Sequence, residues 1–387
     1  MSVIAFPCGA TLTHHNYNEI PPSSETYAGG VNAQRDRVLV VGAGIIGLTS
    51  AFRLVRAGHP VTLLDPSPAR GATWAAAGMI APSAEIAPGE EANYHLQLGA
   101  LASWRELAAE LKDVTGETLT IVERGTLLVG WDASDRRLID QYVHVAHGFG
   151  ATLELLERAQ SPEQFEGLSP RISEGVYIDG DAWVDPDQAV RVLQTALDLL
   201  GAKTITDLVT RVGFAPDHVR AFCTSGEFVA EWGLVTTGSC GLPPGLSSNA
   251  GNAVRPVRGV TVRVLGPDRS DVATVRALVR GRAFYMVSRP GGYCVLGASA
   301  EERHEPVLEV GELQRLLRDA LDVVPALENA HVLEHRLGLR PASPDLEPFF
   351  EVLGASRWAW ISGHYRHGVT LAPLAALEAL HFAHENP

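Results

Sequence analysis

The segment Arg37–Asp65, RVLVVGAGIIGLTSAFRLVRAGHPVTLLD, constrains the fold of this chain more than any other. Val38, Leu39, Val40 and Val41 form an unbroken apolar run, the pattern of a strand buried on both faces of a parallel sheet. Gly42, Gly44 and Gly47 follow at GxGxxG spacing. At that spacing the first glycine permits a tight turn, the second lets the backbone approach a pyrophosphate, and the third lets the next helix pack on the strand. From Leu48 to Arg56 apolar residues recur at helical spacing, Gly58 supplies a stop, and Val61–Leu64 reads as a second buried strand closing on Asp65. A carboxylate there suits the two hydroxyls of a ribose and disfavours a 2′-phosphate, so FAD or NAD fits better than NADP. Strand, glycines, helix, strand and acid, in that order, specify a βαβ unit that carries a dinucleotide.

The remaining 322 residues after Asp65 exceed what one simple core needs, so the 387-residue chain is expected to form two domains. With 46% hydrophobic and 20% charged residues it reads as an ordinary globular protein, and no apolar run approaches the roughly 18 residues of a membrane span. A net charge of −14 argues against nucleic acid or an anionic membrane as partner. Cys8, Cys223, Cys240 and Cys294 are scattered without CxxC or His-interleaved spacing, as expected for reduced thiols in a cytoplasmic protein that has neither a disulfide framework nor a zinc site. Residues 1–36 read as a flexible extension, lacking both core periodicity and the charge pattern of a secretory signal. Neither HExxH nor GxSxG occurs, so zincin and elbow-serine hydrolase chemistry have no support and redox chemistry through flavin or nicotinamide remains.

After Asp65, PSPARGATWAAAGMIAP is rich in small residues, so its backbone can lie against a flat ring, with Thr73 and the amides around Ala77, Gly78 and Met79 as candidate contacts. The patterning then predicts a helix over 90–111, strands in LTIVERGTLLVGW, a helix over 132–156, a helix opened by Asp185-Pro186, a strand over 204–212, and a hairpin leading to a buried strand that ends at Gly238. Residues 254–265 and RAFYMVSRPGGYCVLGAS alternate apolar and polar positions, which predicts a half-exposed antiparallel sheet. A helix over 311–323, a strand, a glycine-containing turn and a long final helix complete the chain. Because the two sheet patterns alternate, the domains are expected to be discontinuous: 37–115, 180–250 and 336–387 for the nucleotide, 116–179 and 251–335 for the substrate.

GAGIIG, RGATWAAAGMIAP, GDAWVDP, RPVRG, FYMVSRPGGYCVLGAS, GLRPASPD and GHYRHGVTLAP together resemble the D-amino-acid oxidase superfamily of flavoproteins, nearest its glycine oxidases of the thiamine pathway. The resemblance runs from Arg37 to the C-terminus. It implies an α/β fold with a Rossmann-like FAD-binding domain of the D-amino-acid-oxidase type and a substrate domain of antiparallel sheet plus helices. It places FAD against Ile45, Ile46, Asp65, Pro66, Thr73, Ala77, Gly78 and Met79, with the Val209 backbone at the adenine. His364, Tyr365, Arg366, His367, Gly368, Val369 and Thr370 correspond to a turn facing the pyrimidine edge of the flavin, where a helix N-terminus favours the negative charge gained on reduction. Arg340, in GLRP, corresponds to the arginine that grips a substrate carboxylate through its planar fork. Tyr285 corresponds to a hydroxyl donor to the same carboxylate, and Arg366 to a second arginine lining the pocket.

The implied reaction is FAD-dependent oxidative deamination of glycine or a similar small amino acid, with O2 as acceptor and peroxide as product. No cysteine lies near GLRP or GHYRHG, so noncovalent FAD is expected. Arg282 and Ala283 before Tyr285, Ser288 where proline is common, and Glu301 and Glu302 after Ala300 depart from the family pattern. They leave open a D-amino acid, an N-methyl amino acid or a specialised-pathway amine as substrate. A flavin dehydrogenase passing electrons to a partner and a nicotinamide dehydrogenase are the rival readings, and the resemblance is compatible with a homo-oligomer.

Overall fold

The computed structural model describes residues 36–87, 90–354 and 356–385. Cys8 and the extension expected before Asp36 lie outside the described residues.

The strand Asp36–Val41 runs parallel to Val61–Leu64 on one side and to Glu227–Val235 on the other, and the sheet continues in parallel through Lys203–Ile205 and Trp358–Ser362. Glu227–Val235 is shared. Its first half closes an antiparallel meander with His218–Cys223 and Val209–Ala215, while its second half carries Trp358–Ser362. Helices Ile45–Arg56, Ala100–Thr115, Pro186–Leu199 and Gly368–Glu385 cover one face, burying Val38, Val40, Leu48, Phe52, Trp104, Leu193 and Trp232 in one cluster. Leu39, Val41, Leu64 and Trp358 pack on the other face. The first strand is thus buried on both sides, as its unalternating sequence requires.

The second eight-stranded sheet runs in the order His331–Ala342, Arg255–Leu265, Tyr293–Gly297, Arg282–Arg289, Thr274–Val279, Thr126–Gly130, Glu174–Ile178, Glu154–Glu157. All its pairings are antiparallel except Thr274–Val279 with Thr126–Gly130. The half-exposed sheet expected from residues 254–265 is not what forms, because Val257–Val264 are all buried. The polar positions of that alternation are used internally. Arg258 points to the helix Val310–Val323 and pairs with Glu312 at 2.9 Å, whereas Thr261 and Arg263 on the opposite face bond the carbonyls of Ala75 and Ala76.

Other differences have local causes. The helix expected over 90–111 is two, Glu91–Leu98 and Ala100–Thr115, meeting at Gly99. The helix from 132 stops at Gly148, and Gly150 at φ 81° turns the chain into the edge strand Glu154–Glu157. The strand expected over 204–212 is interrupted at Asp207, whose carboxylate accepts from the Leu208, Thr224 and Ser225 amides. Asp185 caps its helix as expected, its Oδ1 accepting from the Asp187 N–H at 3.0 Å. Among the described residues no helix is long and apolar enough to cross a membrane.

At Gly47 an added Cβ would lie 1.9 Å from the Gly42 carbonyl oxygen and 2.7 Å from Thr236 Oγ1. Gly47→Ala should therefore destabilise the fold itself by at least about 1–3 kcal/mol, read as a fall in Tm of the apoprotein. An unchanged Tm would show that the helix does not need this close approach.

Candidate active site

A cavity of about 810 Å³ is lined from both sheets. Of the residues singled out in the sequence, Gly42, Gly44, Ile45, Ile46, Asp65, Pro66, Thr73, Ala77, Gly78, Met79, Val209, Tyr285, Arg340, His364, Tyr365, Arg366, Gly368 and Val369 line it. Gly47, His367 and Thr370 do not. Gly47 packs the helix onto the glycine turn, His367 stands behind the wall with its Nδ1 3.2 Å from Glu85, and Thr370 Oγ1 donates to Met79 O at 3.1 Å, tying the last helix to the small-residue loop.

At the nucleotide end the helix that starts at Ile45 has no side-chain cap, and its Ile45 N–H donates to Thr73 Oγ1 at 3.0 Å. The Asp65 carboxylate is fixed by the Ala43 and Ser67 amides, one on each oxygen and each at 2.7 Å. Both oxygens keep lone-pair capacity for ribose hydroxyls. An added Cβ at Gly44 would meet only Thr73 Oγ1 within 4 Å, at 3.4 Å, so a larger side chain would enter the cavity rather than the protein.

Further along, Ala77 and Gly78 are buried, and their N–H groups make no hydrogen bond among the described residues. A buried N–H left unpaired costs about 1–3 kcal/mol, so two in succession on a cavity wall mark where an acceptor belongs. FAD would fit these features, with its ribose at Asp65, its phosphates at the helix N-terminus, and ring carbonyls or nitrogens at the paired amides.

The second sheet supplies the other end. Arg276 and Tyr285 are cross-strand neighbours, and Tyr285 faces Gly297 on the next strand, where an added Cβ would fall 2.3 Å from the phenol oxygen. The Arg340 guanidinium lies over Gly259, within 2.4 Å of where a Cβ would stand, and its Nη1 donates to Ser299 O at 3.1 Å. Burial pushes the Tyr285 phenol above its usual range, with Arg340 opposing. Arg340 has no carboxylate partner among the described residues, while the other two arginines at this end do. Arg276 pairs with Glu85 at 2.5 Å, and Arg366 contacts Glu90 at 2.9 Å and Glu85 at 3.5 Å. Burial alone would raise the Glu85 carboxyl, but Arg276, His367 and Arg366 hold it well below the usual range.

Behind this wall, burial pushes Asp181 up to about 7, with the Thr126 hydroxyl and Arg276 opposing only in part. Burial, reinforced by His367, pushes His364 down to about 4 and keeps its ring neutral at the turn. Glu85, Glu90 and Arg276 were not singled out in the sequence, and Asp181 entered only as part of GDAWVDP. Arg276 did carry a signal, a lone charge inside the apolar run VATVRALV, whereas Glu85 and Glu90 stand in unremarkable polar contexts.

A parallel sheet with a dinucleotide turn, joined to a largely antiparallel sheet that closes the same cavity, is the architecture of a nucleotide-dependent oxidoreductase. The family model described as DAO, FAD dependent oxidoreductase, matches residues 37–380, and the chain belongs to that family. FAD is accordingly its cofactor. The Trichormus variabilis protein named bifunctional protein ThiO/ThiG is 28% identical over 349 residues, which is 88% of this chain and 51% of the relative; the chain thus spans about half the length of the bifunctional relatives it matches. The glycine oxidase of Bacillus licheniformis is 26% identical over 351 residues, 88% of this chain and 90% of that protein. The crystal structure of glycine oxidase from Geobacillus kaustophilus superposes with a TM-score of 0.80 at 26% identity, covering 91% of this chain and 95% of that one.

Gly44→Val should leave the apoprotein folded but lose FAD, measured as flavin per polypeptide after gel filtration, because the added carbons fill cavity and not core. Full occupancy would remove the nucleotide assignment. Asp181 gives a pH test. Its folded pKa of about 7 exceeds the ordinary 3.8, so its contribution to stability is fully present below about 4 and is lost as pH rises through about 7. Asp181→Asn should flatten the fall in Tm between pH 5 and 8, and parallel profiles for the two proteins would refute the assignment.

Proposed function

We propose that the protein oxidises glycine or a similarly small amino acid by oxidative deamination. The observation that carries this is Arg340, the one arginine at the Tyr285 end of the cavity without a carboxylate partner among the described residues. A planar fork without a counter-ion beside a buried phenol is suited to a substrate carboxylate. Bound FAD would supply a two-electron acceptor at N5 for the substrate's Cα hydride and, once reduced, the means to turn O2 into peroxide.

The chain's own part is positioning. Arg340 and the Tyr285 hydroxyl hold the carboxylate, and the amine stands neutral with its Cα–H aligned, so no protein base is required. Arg366, already engaged by Glu85 and Glu90, shapes the wall. The glycine turn, Asp65, the loop Ala77–Met79 and the turn His364–Thr370 hold the cofactor without a covalent link. The Rhizobium etli relative, 31% identical and named putative thiamine biosynthesis oxidoreductase ThiO, supports a place in thiamine biosynthesis. We also infer a nucleotide domain of 37–115, 180–250 and 336–387 and a substrate domain of 116–179 and 251–335. The boundary near 336 falls inside the strand His331–Ala342, whose last residue bridges to His364.

A panel of small amino acids and amines, scored by peroxide release and by anaerobic bleaching of the flavin, tests the reading. Bleaching without peroxide would instead favour a dehydrogenase. Leaving one partner of a buried ion pair alone costs roughly 3–5 kcal/mol, so Arg340→Ala should lower kcat/KM by about two to three orders of magnitude with FAD retained. Arg340→Lys should recover part of it, and Arg366→Ala should cost less. The loss in Arg340→Ala should be confined to the amino acid; an equal loss on its decarboxylated amine would place the carboxylate clamp elsewhere.

A further inference from the structure

Four consecutive carbonyls of the small-residue loop are held from behind by the second sheet. Trp74 O accepts from Arg336 at 3.0 Å, Ala75 O from Thr261 Oγ1 at 2.9 Å, Ala76 O from Arg263 at 3.0 Å and Ala77 O from Arg289 at 3.3 Å. In a trans peptide the N–H points opposite to the carbonyl. The peptides Ala76–Ala77 and Ala77–Gly78 therefore present to the cavity the two N–H groups that have no partner among the described residues.

The arginines behind the loop are not equivalent. Arg289 is neutralised by Asp185 at 2.8 Å, and Arg336 by Asp187 at 2.8 Å and Glu334 at 2.6 Å. Arg263 is 1% exposed and has no carboxylate partner among the described residues; its guanidinium meets only the Thr261 hydroxyl and the Trp74 and Ala76 carbonyls. A buried cation without a counter-ion is costly unless negative charge arrives nearby. Its contact with Ala76 O also polarises that peptide, which strengthens donation from the Ala77 N–H on the cavity side.

We propose that Arg263 is a positioning and tuning residue: a fixed buried charge that acts through the Ala76–Ala77 peptide to favour electron density on the flavin, raising the reduction potential of bound FAD. The proposal rests on the flavin ring lying against this loop, as in the functional reading above. It makes the second sheet a determinant of flavin chemistry as well as of substrate binding.

The test is the midpoint potential of the purified holo-protein, measured against indicator dyes for wild type, Arg263→Gln and Arg263→Lys. Arg263→Gln should hold FAD but shift to a more negative potential, on the order of a tenfold loss in the reduction equilibrium, about 30 mV for a two-electron couple. Arg263→Lys, which keeps the charge without the fork, should stay near wild type. A wild-type potential in Arg263→Gln would reduce Arg263 to a mechanical clamp and overturn the proposal. If Arg263→Gln cannot be isolated with FAD, the lysine variant decides, and a negative shift there overturns the proposal as well. A wild-type protein whose flavin no small amino acid bleaches would sink the functional reading instead, leaving the comparison of potentials to stand by itself.

Discussion

The junction between the two eight-stranded sheets is a strip built mostly of glycine and alanine. At Gly338 an added Cβ would lie 2.8 Å from the Ala75 Cβ and 3.0 Å from the Ala72 Cα, so the strand carrying Arg340 lies directly against the loop that follows the nucleotide unit. Only small residues permit this approach. It brings the donors of Arg336, Thr261, Arg263 and Arg289 within reach of successive carbonyls and leaves the opposite edge of the loop to the cavity. Loop, cavity wall and second sheet therefore share one set of constraints, and a change in any of them is felt by the others.

The Tyr285 end of the cavity sorts its charges by the same economy. Glu85 gathers Arg276, Arg366 and His367, so those groups form a neutralised wall in which each guanidinium is already committed. Arg340, seated over Gly259 and bonded to the Ser299 carbonyl, has no carboxylate partner among the described residues. In the proposed function, selectivity for a carboxylate would follow from the one cavity-lining arginine at this end left without an acid, not from the overall sign of a chain whose net charge is −14.

The site was legible in part. The βαβ unit was readable because each of its residues answers a local requirement: glycines at the turn, unalternating apolar residues in a doubly covered strand, an acid at the strand end. Arg340, Tyr285 and the His364–Thr370 turn were reached through resemblance of short motifs, and the cavity brings most of them together. Glu85 and Arg276 stand 191 positions apart in the chain, and nothing local to either announces a pair. Arg263 belonged to an alternation that reads as solvent exposure, since a strand pattern reports which face a side chain takes but not what covers that face.

By itself the sequence determined the dinucleotide unit, the capped helix after Asp185, the α/β class and the motifs that carry membership of the FAD-dependent family. These depend on backbone conformation and periodicity, which a few neighbouring residues settle. Tertiary structure decided which arginines are neutralised, which amides are left unpaired, and that the expected half-exposed sheet is covered on both faces. Those are properties of contacts between distant segments, and the energy of a buried charge or an unmade hydrogen bond is set by what lies across the gap.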